Sequence, residues 1–281
     1  MIIGSGMGGG TLAWALKDTG LDVLIVERGQ FLPREPENSQ PDHVFIKKRY
    51  VTSKPWYDAK TGQPFQPGVY YWVGGNTKMY GACLPRFRRS DFEEVASSRR
   101  HLSRRGRSAM TTSSRSTPRP KSCSRCTAQS GRIRPSPSTP RPYPYPPLSH
   151  EPTVERLAVR LRQQGLHPFH MANGMHLPSM VERRADTTAD GSPSPTGNKS
   201  DAENRAVRPA LESPTVRLLL GAYVRRLHTS RDGDAVTAAE ADVGERTVRI
   251  EAKTFVVCWR SRQLSRLAAA FGQRPTSERT G

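Results

Sequence analysis

The chain opens on a glycine cluster that few backbone settings accommodate. Met1-Ile2-Ile3 is the stub of an apolar strand, and Gly4-Ser5-Gly6-Met7-Gly8-Gly9 follows at once as G-x-G-x-x-G. Thr11 to Thr19 places Leu12, Ala15 and Leu16 on one face and predicts a helix, ended by Gly20. Leu21 to Val26 reads as a second buried strand, with Glu27 at its carboxyl end, eighteen residues after Gly9. Strand, glycine turn, helix, strand and acid in this order predict a site for an adenine dinucleotide. Each part has a physical task. Gly4 permits the tight turn, Gly6 lets backbone approach a pyrophosphate, and Gly9 lets the helix pack closely on the strand. The helix N-terminus offers unpaired N–H groups and partial positive charge to phosphates. Glu27 can accept hydrogen bonds from a ribose.

Only three residues precede Gly4, where a strand of about five or six is usual. The expectation is therefore a clipped first strand or a misplaced start. No basic and then apolar segment precedes the glycines, so no secretory leader is expected. No run approaches the roughly eighteen apolar residues of a membrane span. The expected location is cytoplasmic.

Charge divides the chain. It has 281 residues, a hydrophobic fraction of 35%, 24 prolines, 23 glycines and a net charge of +19. Residues 96–142 hold twelve Arg and Lys, from Arg99 to Arg141, and no Asp or Glu. Ser, Thr and Pro fill most of that window, with neither helical nor strand period. The tail 259–281 adds five arginines against Glu278 alone. What remains is close to balanced, so the basic character belongs to inserts. Segment 96–141 is expected to be disordered low-complexity sequence, 180–198 a low-complexity loop and 259–281 an irregular basic tail.

Elsewhere the chain reads as folded. Tyr70-Tyr71-Trp72-Val73 predicts a short aromatic strand running into Gly74-Gly75-Asn76-Thr77. Pro152 to Gln164 predicts an amphipathic helix with Val154, Leu157, Ala158 and Leu161 on one face and Gly165 as its stop. Val216–Leu220, Ala222–Leu227, Ala235–Asp242 and Thr247–Val257 alternate like strands. They suit a small antiparallel sheet that returns into the nucleotide domain.

Several blocks together resemble one family. GSGMGGGTLAWAL with LIVERG, GGNTKMYGA at 74–82, PRFRRSDFE at 85–93, KSDAE at 199–203 and KTFVV at 253–257 are similar to the glucose–methanol–choline (GMC) oxidoreductases. The matching blocks are 1–95, 142–179 and 199–258. The resemblance implies an α/β, FAD-binding Rossmann-like domain, incomplete here, with an antiparallel β element and basic inserts. It implies oxidation of a small-molecule alcohol by hydride transfer to FAD. Gly4, Ser5, Gly6 and Gly9 would wrap the FAD pyrophosphate, and Glu27 would bind the adenosine ribose. Gly74, Gly75, Asn76 and Thr77 would form the loop beside the isoalloxazine ring, where backbone N–H groups stabilise reduced flavin. Val224 is either the strand residue whose backbone contacts adenine or a plain sheet-core valine.

The departures from that pattern are specific. GMC enzymes place a catalytic histidine, usually paired with His or Asn, near the C-terminus of a much longer chain, where it acts as a general base. None of the seven histidines here sits in a matching motif. The resemblance therefore assigns no catalytic residue, and an inactive copy is expected. The match breaks off near Val95, restarts at Pro142 and Lys199, and stops after Val257, while the intervening text turns rich in Arg, Ser, Pro and Thr. Out-of-frame reading of a GC-rich gene produces such text, so compensating frameshifts are expected. The competing expectation is a basic nucleic-acid-binding protein on a vestigial nucleotide fold. Its arginines would bind DNA, RNA or another polyanion without sequence preference. The window has almost no aromatic interleaving for base stacking.

Cysteine chemistry is not expected. Cys123-Ser124-Arg125-Cys126 has no second pair to complete a zinc site. Cys83 and Cys258 border folded blocks and are expected to be buried thiols in a reducing compartment.

Overall fold

The computed structural model describes residues 1–86, 143, 145–175 and 190–258. The basic window 96–141, the first part of the 180–198 segment, the tail 259–281, His176 and the Cys123–Cys126 pair lie outside the described residues.

The chain divides into two units. The first joins Met1–Met79 to Asp201–Gly281. Strand β1 is Ile2–Ile3, helix α1 is Met7–Leu16 and strand β2 is Val23–Val26. A two-residue hairpin pair follows, β3 (Trp56–Tyr57) against β4 (Pro64–Phe65). The later strands are β5 (Val216–Leu219), β6 (Ala222–Thr229), β7 (Val236–Val243), β8 (Arg246–Glu251) and β9 (Val256–Val257). Parallel strands in the order β5-β2-β1-β9 make one sheet, and antiparallel β6-β7-β8 makes another. This is the α/β arrangement, with its antiparallel element, that the sequence predicts.

Short as it is, β1 works as an interior strand. Ile2 faces Ile25 on one side and Val256 on the other, and Ile3 faces Val26 and Val257. Both isoleucines are buried. The Met1 amino group donates to the Thr254 carbonyl at 2.8 Å, and burial pushes its pKa down. Ile2, Ile25, Val216 and Ala13 pack one core with Val73, Val207 and Ala210. Ile3, Val26, Val224, Leu227 and Ala241 pack a second, between the two sheets.

Three boundaries differ from the sequence reading. Helix α1 starts at Met7, inside the glycine run, and ends at Leu16. Burial of Gly9, Gly10 and Ala13 outweighs the low intrinsic helix propensity of glycine there. Tyr70–Val73 is not a strand: Trp72 makes one bridge to Gln30. The chain turns at once, because Gly74 is left-handed (φ 88°) and Asn76 Oδ1 takes the Tyr70 N–H. Thr247–Val257 splits, its first half ending in β8 and its last residues joining the parallel sheet as β9.

The second unit is Tyr80–Ser200. Helix α2 spans Pro152–Gln163, with proline in its first turn as predicted. Ala158 is its buried residue, while Val154 and Leu157 remain exposed. Cys83 bridges Asn173 and Met175 bridges Lys199. Cys83 is exposed, contrary to the expected buried thiol: an isolated bridge gives it no covering layer. Residues 190–198 are irregular, with Ser192 and Asn198 buried. His150 stacks on His170 at 3.9 Å and pairs with Glu155 at 2.7 Å. Among the described residues no three His, Cys, Asp or Glu side chains converge as metal ligands. No helix among them is long and apolar enough to cross a membrane.

Candidate dinucleotide site

A cavity of about 350 Å³ in the first unit gathers most of the residues singled out by the sequence. Gly4, Gly6, Glu27, Gly74, Gly75, Asn76 and Thr77 all line it. The volume is at the lower end of the range for small-molecule sites.

The three glycines of the first motif do different things. Gly4 has φ 99°, a left-handed turn that a side chain would strain. Its N–H completes the ladder to the Val26 carbonyl at 2.9 Å. A Cβ on Gly9 would overlap the Gly4 carbonyl oxygen and press on Ile2, so Gly9 is where helix meets strand. A Cβ on Gly6 would meet nothing within 4 Å. That open face, on the N-cap of α1, borders the cavity. The first turn of a helix leaves its N–H groups without intrahelical acceptors, and this one carries no acidic side chain to occupy them. The cradle fits a pyrophosphate.

Ser5 is not a cavity residue. It is fully buried, and its N–H and hydroxyl both donate to Glu27 Oε2, at 2.9 and 2.6 Å. Its oxygen accepts the Gly74 N–H at 3.1 Å. Glu27 Oε1 takes the Gly29 N–H at 3.0 Å. Glu27 is thereby oriented by three protein donors at the end of β2. Oε2 is occupied by both Ser5 donors, whereas Oε1, with Gly29 alone, keeps a second lone pair for a ribose hydroxyl.

The 74–77 loop is a short 3₁₀ turn, Gly75–Lys78, opened by left-handed Gly74. Most of its donors are spoken for: the Gly75 N–H goes to the Trp72 carbonyl at 2.7 Å and Thr77 Oγ1 donates to the Gly74 carbonyl at 2.6 Å. Among the described residues, the Asn76 N–H meets no backbone or side-chain acceptor. Its side chain is committed instead, accepting the Tyr70 N–H at 3.1 Å and donating to the Gly68 carbonyl at 3.2 Å. Val224 is buried in the inter-sheet core on β6, and its neighbour two residues back, Ala222, is the β6 residue at the cavity.

Several contributors were not legible in advance. A Cβ on Gly29 would overlap the Tyr71 carbonyl oxygen, and one on Gly10 would stand 3.0 Å from Val207. The Arg28 guanidinium, at the cavity wall, stacks on Tyr71 (3.6 Å) and Tyr223 (4.4 Å). Lys78 is buried and ion-paired with Asp201 and Glu203. The sequence signal for the last cluster was present in GGNTKMYGA and KSDAE, but nothing local links two motifs so far apart.

The profile of the NAD(P)-binding Rossmann-like domain matches residues 2–32. No curated protein sequence matches the chain. Among solved structures, the chain is similar to an FAD-dependent oxidoreductase from Chaetomium thermophilum, at 16% identity and TM-score 0.56, covering 95% of this chain and 46% of that one. It is similar to formate oxidase at 14% identity and TM-score 0.53, covering 91% and 44%. Pyridoxine 4-oxidase from "Mesorbium loti" aligns at 18% identity and TM-score 0.48, covering 92% and 48%. The chain thus spans slightly less than half the length of each. At such identities the likeness is one of fold alone, and it agrees with the α/β fold that the sequence predicts.

Proposed function

We propose that this chain is the FAD-binding portion of a GMC-type oxidoreductase acting on a CH–OH donor. One observation carries the reading: two glycine motifs nearly seventy residues apart line one cavity and are joined through the Ser5 oxygen. The first motif alone would suit any adenine dinucleotide. The second adds a wall suited to a redox ring, where Asn76 lines the cavity and its N–H meets no acceptor among the described residues. Bound FAD would supply the ring that accepts hydride from an alcohol carbon.

The chain's own residues would do the rest. Gly6 and the first turn of α1 would hold the pyrophosphate, by dipole and open N–H groups. Glu27, locked by Ser5 and Gly29, would orient the adenosine ribose. Asn76 would present a fixed donor where negative charge grows on the ring during reduction, a preorganised contact that costs no rearrangement at that moment. Among the described residues no histidine lines the cavity, and no proton acceptor is assigned here.

The test is flavin retention. The folded full chain, incubated with FAD and passed through gel filtration, should elute with flavin absorbance under the protein peak. Folded protein that elutes colourless at saturating FAD overturns the reading.

A further inference from the structure

The flavin reading leaves unexplained why a lysine is buried one residue beyond the 74–77 loop. Lys78 is 7% exposed, and its ammonium contacts Asp201 Oδ2 at 3.1 Å and also Glu203 Oε2. Asp201 and Glu203 are themselves buried. Asp201 further accepts the Asn204 N–H at 2.9 Å, and Glu203 accepts Arg208 Nε at 2.7 Å. Two cations and two anions balance. The same short segment holds the loop in two further ways. The Ala202 N–H donates to Thr77 Oγ1 at 3.0 Å, and a Cβ on Gly74 would stand 3.0 Å from the Glu203 nitrogen. Residues 201–203 therefore grip the loop at Gly74, Thr77 and Lys78, that is, on both sides of Asn76.

Buried ion pairs are poor sources of net stability, because desolvation offsets much of the attraction. Their defensible use is to specify one arrangement among several. A four-residue 3₁₀ turn has few hydrogen bonds of its own to hold its shape. Resting on the flavin reading, we propose that Lys78, Asp201 and Glu203 are positioning residues that fix the Asn76 N–H at the cavity and so tune the reduction potential of bound flavin. The cluster touches no cavity space itself: none of the three lines it.

The experiment uses the full chain and three variants. Lys78→Met strands the buried Asp201 carboxylate and leaves Glu203 with Arg208 alone. Lys78→Met/Asp201→Asn removes the tether while leaving Glu203 balanced by Arg208. Thr77→Val leaves every charge in place but removes the Ala202 contact together with the loop's own bond from Thr77 Oγ1 to the Gly74 carbonyl. In all three, amide hydrogen exchange of residues 75–79 without flavin should quicken by about tenfold or more, with exchange in β6 and β7 unchanged in the double variant and in Thr77→Val. With FAD bound, the midpoint potential should fall, because a wandering donor stabilises the reduced ring less. Wild-type exchange and potential in both the double variant and Thr77→Val would overturn the proposal. A wild-type chain that retains no FAD sinks the flavin reading separately, and loop exchange unchanged in the variants sinks the positioning whether or not flavin binds.

Discussion

Ser5, in the first glycine turn, and Gly74, in the second, are joined by a hydrogen bond of 3.1 Å from the Gly74 N–H to the Ser5 hydroxyl oxygen. Both residues are buried, and the same hydroxyl donates to Glu27 at 2.6 Å. One side chain thus sets the spacing of the two walls and the orientation of the acid. Ser5→Ala would leave the Gly74 N–H without an acceptor and Glu27 short of a donor. The expected cost is about 1–3 kcal/mol, read as a lowered urea midpoint with unchanged slope. A midpoint equal to wild type would show that the link carries no weight.

Gly6 and Gly9 separate ligand contact from packing. Gly6 has φ −62°, which alanine adopts freely, and open space where its Cβ would go. Gly6→Ala should fold with near wild-type stability and lose dinucleotide affinity, about tenfold for ~1.4 kcal/mol of lost contact. Gly9→Ala drives a methyl into the Gly4 carbonyl and should cost several kcal/mol or prevent folding. Circular dichroism melts and a nucleotide titration on the two variants check the contrast. Equal behaviour would contradict it.

How much of this was legible beforehand depends on the range of the interaction. The glycine turn, helix and acid are local, and the sequence carries them because each residue type is dictated by its own backbone or neighbour: positive φ at Gly4, contact at Gly9, the strand end at Glu27. The aromatic run 70–73 misled because alternation and ring content predict strand, whereas the following left-handed Gly74 and the Asn76 side chain turn the chain away. Ser5 was read as a phosphate contact and is a buried bridge, since its partner lies far along the chain. Lys78 carries no local signal of its burial for the same reason: its carboxylates come from residues 201 and 203.

A separate polar knot fixes the chain after β2 and gives a pH prediction. Glu35 accepts Arg49 Nε at 2.8 Å and Nη2 at 3.1 Å, and the Tyr50 hydroxyl at 2.8 Å. The Arg49 and Tyr50 hydrogen bonds hold its carboxyl below the ordinary value of 4.5. Because the folded pKa is depressed, this contribution is full above pH 4.5 and fades as pH falls through the folded value. Arg49 is about half exposed, so the effect is modest. Stability measured by urea between neutral and acid pH should fall less steeply in Glu35→Gln than in wild type. Parallel curves would rule out the link.

The sequence windows 96–141, 180–198 and 258–281 carry the reading-frame proposal. Translating the coding DNA across them in the other two frames should restore apolar periodicity and acidic residues, with a cysteine-rich stretch ahead of Lys199. Stop codons or equally aperiodic text in both frames would end the proposal and leave the arginine-rich segment to be explained as a genuine polyanion-binding insert.

The central claim is that the cavity joining Gly6, Glu27 and Asn76 takes FAD, and the sharpest measurement is a competition between dinucleotides. Trp56, Tyr70 and Tyr71 line the cavity, so ligand entry should quench intrinsic fluorescence. Titration of the folded chain with FAD, NAD⁺ and NADP⁺ in parallel should give an FAD dissociation constant at least about tenfold below the other two, a difference of ~1.4 kcal/mol. Saturable quenching by NAD⁺ or NADP⁺ at equal or lower concentration than FAD would contradict the account.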